Sequence, residues 1–474
     1  MDAQPVPGFI ENRIFDEIAI GESASLARTL GADDIALFAA VSGDINPAHM
    51  DPDYAKDDLF HRIIAHGMWT GGLISAVLGT KLPGPGTIYL DQDLKFRAPV
   101  APGDTVTATV TVTGRDAARH RLTLDCRCVN QHGTEVVTGT AIVQAPTEKV
   151  RRKAMPLPEV RLNRHRRFRR LMEAAAGGGP LATAIAHPCD ETSLAGAREA
   201  ADAGLIVPIL VGPAAKIRAA AAESGIRIDD FRIEDVPHSH AAAARAVDLV
   251  RTGAAKVLMK GALHTDELMH EVMLAENGLR TGRRLSHVYV MDVPAYPRPL
   301  LVTDAAINIA PGLAEKRDIV QNAIDLARIL GNEAPNVAIL AAVETVNPAM
   351  PSTLDAAALC KMAERGQITG GAVDGPLAFD NAVNPKAAAD KHIVSPVAGR
   401  ADILVVPDIE AGNMLAKQLS FLAGADAAGI VLGARVPIVL TSRADSARTR
   451  LASCAVARLV AEHNAKMPGV EATA

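Results

Sequence analysis

The chain has 474 residues, of which 49% are hydrophobic, 22% are charged and only 3% are aromatic, and its formal net charge is −5. This length exceeds what one ordinary core needs and favours two to four domains, and the apolar fraction is that of a globular protein. Few aromatic residues, and charges of both signs spread along the chain, argue against a protein that binds nucleic acid or a membrane.

The N-terminal stretch MDAQPVPGFIENRIFDE lacks the basic start and apolar core of a signal peptide. No uninterrupted apolar run reaches the ~20 residues that a membrane-spanning helix needs. The five cysteines show no CxxC pair and no regular spacing, which favours reduced thiols over metal ligands. We therefore expect a cytoplasmic protein.

The first helix in chain order is predicted to run from about Asp33 to Gly43, where glycine suits a left-handed stop. Pro47 should prevent the helix from resuming at once. Asp44 and His49, in the stretch SGDINPAHMD, are therefore expected on an irregular segment that aims both side chains into one cavity.

A carboxylate and an imidazole that share one water suit general acid–base catalysis. An Asx turn beside an exposed histidine is the alternative for this stretch, and Asn46 is expected to stabilise the turn through its side chain. The segment FHRIIAHGM, which follows this stretch, favours the catalytic reading over the Asx turn. It places Gly67 near the start of a predicted buried helix, Ala65 to Leu82. Free N–H groups at a helix start favour a developing oxyanion, as hydration of an unsaturated thioester requires.

Four segments after Thr87 are rich in β-branched residues and alternate apolar with polar positions: TIYLDQDLKF, DTVTATVTVTG, HRLTLDCRCVN and EVVTGTAIV. They predict an antiparallel sheet. One buried helix against such a sheet is an α+β arrangement.

The motifs SGDINPAHMDPDYA, IAHGM and GTIYLDQDLKFRAPVAPGDTVTATVTV resemble the MaoC-like, R-specific enoyl-CoA hydratases over residues 10–145. The resemblance implies the hot-dog fold. It also implies that Asp44 and His49 are the catalytic pair that activates water and returns a proton to the α-carbon of the substrate. Gly67 would then supply an N–H group to the thioester oxygen.

Other residues of the buried helix have weaker implied roles. Ser75 matches a position near the pocket of this family. Trp69 and Leu73 are expected to shape the acyl pocket or, as an alternative, to pack in the core. For His66 we favour a structural role in which the imidazole orders the turn.

Residues 146–164 contain prolines and many arginines and lysines, and they predict a basic linker that leads into an amphipathic helix. A patch for the phosphates of a nucleotide-like ligand and a nucleic-acid patch are the alternatives.

From residue 165 to 470, Ala-rich helices alternate with short apolar strands such as ATAIAH, IVPILVG, KVLMKG and SHVYVMDV. This alternation predicts βαβ units in a largely parallel α/β fold. The length suggests two lobes with a cleft between them, one of about residues 165–285 plus 431–470 and one of about residues 286–430.

Several predicted strands end in polar residues, and ligands gather at the carboxyl ends of parallel strands. In PIVLTSRADS the strand ends at Thr441, Ser442 and Arg443, where a hydroxyl and a guanidinium suit a phosphoryl oxygen. A helix cap and a surface arginine are the alternative. The sequence contains neither GxxxxGK[ST] nor GxGxxG, so nucleotide-binding loops of those kinds are excluded.

The motifs GPLAFDNAVN, SPVAGRADILVVPDIEAGN and GARVPIVLTSRADS resemble phosphate acetyl- and butyryltransferases over about residues 165–470. By position, Ser442 and Arg443 would bind the phosphoryl group and stabilise charge as the CoA thiolate attacks. Asp445 is the candidate base for the thiol. Thr265 and Asn413, at predicted helix starts, would assist phosphate binding or cap their helices.

The two resemblances together imply a fused enzyme whose substrates are CoA thioesters, CoA, phosphate and acyl phosphates, with no metal and no tightly bound cofactor. They also imply a homo-oligomer, at least a dimer. Two alternatives stay open. The C-terminal part could be a catalytically silent acyl-CoA sensor, like the related domain fused to some malic enzymes, or the N-terminal part could only bind acyl-CoA.

Overall fold

The structure is a computed structural model that describes residues 8–156, 160, 166–441 and 445–466. The chain divides into an N-terminal unit, Met1–Leu162, and a C-terminal unit, Asn163–Ala474. Among the helices of the described ranges, none combines the length and the apolar character that crossing a membrane requires.

The N-terminal unit contains a five-stranded antiparallel sheet with the strand order β2-β4-β5-β6-β3, and a short ribbon in which β1 pairs with β7. Its elements are β1 (Phe9–Glu11), a 3-10 helix (Phe15–Glu17), β2 (Ser23–Thr29), α1 (Ala32–Ser42), α2 (Pro47–Met50), α3 (Pro52–Asp57), α4 (Gly67–Thr80), β3 (Ile88–Phe96), β4 (Thr105–Asp116), β5 (Arg121–Val129), β6 (Glu135–Gln144) and β7 (Arg151–Lys153).

This sheet packs against α4, which contacts β2, β3, β4 and β5. Buried and less buried residues alternate along β4, so its apolar side chains form one face of the core. The buried residues of α4 include Leu73, Ile74 and Val77, which belong to the same core cluster. The α+β hot-dog expectation is confirmed, as are all four predicted strands, while β2 was not predicted.

Helices and strands alternate along most of the C-terminal unit. They are α5 (Arg166–Ala175), β8 (Leu181–Ala186), α6 (Glu191–Asp202), β9 (Ile206–Gly212), α7 (Ala214–Glu223), β10 (Arg232–Asp235), α8 (Ser239–Arg251), β11 (Val257–Lys260), α9 (Thr265–Val272), β12 (Ser286–Asp292), β13 (Leu300–Thr303), α10 (Leu313–Ile329), β14 (Asn336–Leu340), α11 (Pro351–Glu364), β15 (Ala372–Leu377), α12 (Phe379–Val383), α13 (Pro385–Asp390), β16 (Ile403–Val405), α14 (Ile409–Phe421), β17 (Asp426–Leu432), β18 (Ile438–Val439) and α15 (Ala447–Lys466).

The strands form one mixed sheet in the order β10-β9-β8-β11-β18-β17-β12-β13-β16-β14-β15. β12 runs antiparallel to both β13 and β17, and β17 runs antiparallel to β18. The other neighbours are parallel. The expected largely parallel α/β fold is therefore confirmed, with an antiparallel centre that the pattern of alternation did not predict.

The parallel run β8-β11-β18 positions the polar residues of this unit. Because these neighbours point the same way, the segments that follow Ala186, Lys260 and Val439 leave the sheet at one edge. The buried helix α15 follows β18 and packs against β17 and α6.

Candidate functional sites

The segment after α1 holds Asp44. Gly43 adopts φ of 75° and its amide bonds to the Ala39 carbonyl at 2.8 Å, so the helix ends with the predicted left-handed residue. The Asn46 amide donates to the Asp44 carboxylate at 3.1 Å, and the Asn46 side chain accepts from the Ala48 amide at 3.1 Å. These two Asx turns hold the segment, as expected for Asn46.

His49 lies on the one-turn helix α2 rather than on an irregular segment, which corrects the sequence expectation. Pro47 is the first residue of α2, where its missing N–H group carries no penalty. The Nδ1 atom of His49 lies 2.9 Å from the Ile64 carbonyl oxygen. Because a carbonyl only accepts, Nδ1 carries the proton and Nε2 of the neutral ring is left as an acceptor.

The side chains of Asp44, His49 and His66 converge. A carboxylate oxygen of Asp44 and one ring nitrogen of each histidine all lie within 4.8 Å of one another. Asp44 is exposed, His49 is half-buried and His66 is 2% exposed. The predicted pair is therefore brought together, at a distance that one water can bridge.

His66 immediately precedes α4, and its buried ring contacts both members of the pair. Its Nε2 donates to the Asp44 backbone carbonyl at 2.9 Å, and its ring lies against that of His49. Its Nδ1 is buried and makes no hydrogen bond within the described residues. The predicted structural role of His66 therefore extends to the position of Asp44.

Gly67 is the first residue of α4, as predicted, so its N–H group has no partner within the helix. A Cβ atom at this position would lie 2.7 Å from Cε1 of Phe96, the last residue of β3. Glycine therefore lets the helix start approach the end of β3 closely. Phe96 is a member of this site that the sequence motifs did not reveal.

The remaining N-terminal candidates lie on α4. Trp69 and Leu73 are 8% and 5% exposed and belong to the core cluster, which favours the packing alternative for both. Ser75 is exposed and lies two turns after Gly67.

Ser442 and Arg443, the predicted phosphoryl-binding pair, lie outside the described residues. Their neighbours are described: Thr441 is 9% exposed, and Asp445 is half-buried just before α15. Burial, and secondarily the charge of Asp445, raises the pKa of Tyr289 on β12 to about 12. Tyr289 therefore lies near Asp445.

Neither Thr265 nor Asn413 caps a helix, which corrects the capping alternative. His264 precedes Thr265 as the N-cap of α9, and Asp408 is the N-cap of α14, where its side chain accepts from the Ala411 amide. Asn413 lies in the second turn of α14 and donates to the Ala305 carbonyl at 3.4 Å. The EAGN motif therefore ties α14 to the loop after β13.

The carboxyl edge of β8, β11 and β18 carries a polar cavity that the predictions missed. It is lined by Asp190, Ser193, Lys260, Gly261, Thr441 and Arg450. Lys260 is the last residue of β11 and is 8% exposed, and Arg450 on α15 is 7% exposed. Lysine after an apolar strand in KVLMKG was the available signal, whereas nothing in the local sequence distinguishes Arg450 from a surface residue.

Two family models match the chain. A model described as "Phosphate acetyl/butaryl transferase" matches residues 238–458, and one described as "MaoC like domain" matches residues 17–127.

Individual proteins resemble the C-terminal unit closely. The phosphate acetyltransferase of Rhizobium meliloti is 67% identical over 295 residues, which are 62% of this chain and 93% of that protein. The phosphate butyryltransferase of Clostridium acetobutylicum is 46% identical over 278 residues, 59% of this chain and 92% of that protein.

Solved structures resemble each unit. A branched-chain phosphotransacylase from Enterococcus faecalis, 34% identical, covers 59% of this chain and 99% of its own, with a TM-score of 0.53. The unliganded R-hydratase PhaJ1 from Pseudomonas aeruginosa, 41% identical, covers 33% of this chain and 99% of its own, with a TM-score of 0.32.

Proposed function

The chain belongs to the phosphate acetyl/butyryl transferase family and carries a MaoC-like domain, and from this premise we propose that it is a bifunctional acyl-CoA enzyme. The N-terminal unit hydrates a trans-2-enoyl-CoA to a (3R)-hydroxyacyl-CoA. The C-terminal unit transfers an acyl group reversibly between CoA and inorganic phosphate.

The observation that carries the hydratase proposal is the fixed tautomer of His49 beside the Asp44 carboxylate. Because Nδ1 of His49 donates to the Ile64 carbonyl, Nε2 is free to accept a proton from water. A water between Nε2 and the carboxylate loses one proton as its oxygen bonds to the β-carbon of the enoyl group. The same pair then delivers a proton to the α-carbon, so water is added across the double bond.

The electrons of the double bond move toward the thioester carbonyl during this addition, so charge develops on its oxygen. We assign the Gly67 N–H group, at the start of α4, as the donor to that oxygen, with the helix dipole adding to the effect. The His66 ring contacts both Asp44 and His49, and His66 directly precedes Gly67 in the chain. His66 therefore links the position of the Asp44–His49 pair to the start of α4.

The names of the relatives support acyl transfer by the C-terminal unit, because phosphate acetyltransferases and butyryltransferases both resemble it over nearly their whole length. A phosphate oxygen attacks the thioester carbonyl, the C–S bond breaks, and the leaving thiolate takes a proton. We assign Ser442 and Arg443 to the phosphoryl group. In the reverse direction Asp445, half-buried before α15, takes the proton of the CoA thiol.

We also propose that the protein acts in the cytoplasm as a homo-oligomer, with CoA thioesters and phosphate as substrates and no tightly bound cofactor. The outer edge of β3 supports oligomer formation, since within the described residues β3 pairs with β6 alone. Three consecutive apolar residues there are exposed, Ile88 at 55%, Tyr89 at 40% and Leu90 at 42%. Sedimentation equilibrium of the full chain tests the oligomer, and a monomer at all concentrations would contradict it.

Assaying both activities in each variant of the full chain tests the two assignments separately. Loss of crotonyl-CoA absorbance reports hydration, and thiol release from butyryl-CoA in phosphate reports acyl transfer. We expect Asp44→Asn and His49→Ala to lower hydration at least ~10²-fold and to leave acyl transfer unchanged. Arg443→Ala should abolish acyl transfer and leave hydration unchanged.

Undiminished hydration in Asp44→Asn and His49→Ala contradicts the assignment of the pair. A wild-type protein that hydrates crotonyl-CoA, yet releases no CoA from acetyl-, butyryl- or 3-hydroxybutyryl-CoA, contradicts the transferase proposal and favours a C-terminal acyl-CoA sensor.

A further inference from the structure

The cluster of Asp44, His49 and His66 combines one carboxylate with two imidazole rings, which are common ligands of transition-metal ions. Among the described residues, it is the one group of three such side chains close enough to share an ion, with ligand atoms within 4.8 Å of one another. Ligands of a tetrahedral ion at about 2.0–2.2 Å lie about 3.3 to 3.6 Å apart, so the cluster needs to close by no more than about 1.5 Å. Side-chain rotation of exposed Asp44 and half-buried His49 supplies a displacement of this size.

Backbone groups already orient all three side chains. Nδ1 of His49 donates to the Ile64 carbonyl, and Nε2 of His66 donates to the Asp44 carbonyl, each at 2.9 Å. Histidines that bind metal ions almost always donate their other ring nitrogen in this way, which fixes the tautomer and leaves one nitrogen as an acceptor. The Asp44 carboxylate is itself oriented by the Asn46 amide at 3.1 Å. Metal binding through the remaining acceptors therefore leaves these hydrogen bonds intact.

His66 gives an independent indication of a ligand. It is 2% exposed, and its Nδ1 atom is buried without a hydrogen bond to any described residue. Leaving a buried polar atom without a partner is unfavourable, so such an atom usually has a water or an ion beside it. The His66 ring contacts both other members of the cluster, Asp44 through its backbone carbonyl and His49 through its ring. An ion bound by the cluster would give Nδ1 the partner that the described residues do not provide.

We propose that Asp44, His49 and His66 bind one Zn²⁺ ion and that the bound ion inhibits hydration. Imidazole nitrogen suits zinc, whereas Mg²⁺ and Ca²⁺ prefer sites made of oxygen ligands. The ion would take the place of the water that Asp44 and His49 share. With both groups bound to zinc, no acid is left to protonate the α-carbon. The inhibitory part of this inference rests on the proposed hydratase function, whereas the binding of the ion does not.

Isothermal titration calorimetry of the full chain measures binding without catalysis. We expect wild type to bind one equivalent of Zn²⁺, which Asp44→Asn, His49→Ala and His66→Phe each bind at least ~10-fold more weakly. Even the loss of a hydrogen bond to a metal ligand lowers affinity about 10- to 100-fold, and here the ligand itself is lost. Because Asp44 is exposed, Asp44→Asn tests the site even if His66→Phe does not fold. His132→Gln, which replaces an exposed histidine of the same unit, is the matched control and should bind as wild type does.

Hydration of crotonyl-CoA gives the second readout, with free Zn²⁺ fixed by a nitrilotriacetate buffer. We expect wild type to be half-inhibited at a free Zn²⁺ concentration near the calorimetric Kd, to recover when EDTA is added, and to be unaffected by millimolar Mg²⁺. The residual hydration by His66→Phe should require at least ~10-fold more free Zn²⁺ for half-inhibition. Acyl transfer by the same preparation should not change at the same free Zn²⁺.

The outcomes separate this proposal from the hydratase function. Equal zinc affinity in wild type and in the folded variants of the three ligands overturns the site. Hydration that is unchanged or stimulated by saturating free Zn²⁺ overturns the inhibitory role, and so does equal inhibition of wild type and His66→Phe. A wild type that does not hydrate crotonyl-CoA, yet binds one Zn²⁺ through all three side chains, overturns the hydratase function and supports the site.

Discussion

The rings of His49 and His66 lie with their centroids 4.0 Å apart and their planes inclined by 39°. Each ring also has one nitrogen fixed by a backbone carbonyl, Nδ1 of His49 by Ile64 and Nε2 of His66 by Asp44. The carbonyl partners set both tautomers, so in the neutral state the two rings present their other nitrogens as acceptors. His66 therefore positions the proposed acid–base pair, Asp44 and His49, without having to exchange protons with the substrate.

Replacement of His66 by phenylalanine tests this positioning role. The Phe ring keeps the contact with His49 but cannot donate to the Asp44 carbonyl. We expect kcat for crotonyl-CoA hydration to fall about 10- to 100-fold, because a small displacement of a catalytic group is costly, while KM stays within ~3-fold. Stopped-flow or steady-state absorbance of crotonyl-CoA measures both parameters.

Two internal controls accompany His66→Phe. Acyl transfer by the same preparation should equal that of wild type, and fluorescence of Trp69, the only tryptophan of the chain, should show a folded N-terminal unit. A wild-type kcat in this variant would limit His66 to packing. A raised KM with unchanged kcat would also contradict the positioning role.

Gly67→Ala tests the close approach between the start of α4 and β3. The added Cβ would lie 2.7 Å from Cε1 of Phe96, so either the helix start or the ring must move. We expect hydration to fall at least ~10-fold, because the Gly67 amide, the proposed donor to the thioester oxygen, moves with the helix. Gly72→Ala, in the same helix with no atom within 4 Å, should keep full activity.

A second substitution identifies the cause of that loss. In Gly67→Ala combined with Phe96→Ala, the ring that obstructs the new methyl group is absent, so we expect hydration to recover at least in part relative to Gly67→Ala. Equal activity in the single and the double variant would show that the methyl group acts on the substrate directly and not through Phe96.

The N-terminal site could be predicted largely from its motif, because Asp44, His49 and Gly67 lie within one continuous stretch whose turns are local. Pro47 was misjudged, since proline breaks a helix in its interior but begins one at its first position. Phe96 could not be predicted, because its contact with Gly67 depends on how β3 packs against α4, which no local pattern encodes.

Gly412→Ala tests the packing of the EAGN motif in the C-terminal unit. A Cβ atom on Gly412 would lie 2.6 Å from the Asp304 carbonyl oxygen and 2.8 Å from Cγ2 of Val406. Both neighbours are buried, so the contact cannot relax easily. We expect the free energy of unfolding to fall by about 1 to 3 kcal/mol in urea denaturation followed by circular dichroism.

Gly179→Ala is the matched control for Gly412→Ala, because no atom lies within 4 Å of its added Cβ. Its unfolding should match that of wild type to within ~0.5 kcal/mol. Wild-type stability of Gly412→Ala would mean that α14 and the loop after β13 separate readily, and that the motif does not serve this packing.

The C-terminal fold was predicted where helices and strands alternate and missed where they do not. β17 is rich in alanine and glycine and follows α14 directly, so its antiparallel direction left no signal in the sequence. Lys260 and Arg450 are 190 positions apart, and only the parallel pairing of β11 with β18, followed by α15, brings them to one cavity. Lysine and arginine are mostly exposed in proteins, so residue type alone does not indicate a buried position for either.

His287 on β12 predicts a pH dependence of the stability of the C-terminal unit. It is 1% exposed, and neither ring nitrogen makes a hydrogen bond within the described part of the chain. Burial lowers the pKa of His287 to about 3. The folded protein therefore keeps this ring neutral where the unfolded chain already takes up a proton, so stability is lost as the pH falls from about 6.5 toward 3.

His287→Phe should remove this contribution, because it preserves the edge contact of the ring with Tyr289 but cannot be protonated. Relative to the difference at pH 7.5, we expect the variant to gain about 2 to 3 kcal/mol over wild type at about pH 4.5, at ~1.4 kcal/mol per pH unit. Circular dichroism should report the gain, whereas Trp69 fluorescence, which follows the N-terminal unit, should not.

His463→Gln, which replaces an exposed histidine on α15, is the control and should follow the wild-type curve of stability against pH. Parallel curves for wild type and His287→Phe between pH 7.5 and 4.5 would mean that the ring reaches solvent or a proton acceptor in the folded state, because only then can it take up a proton without unfolding the sheet around it.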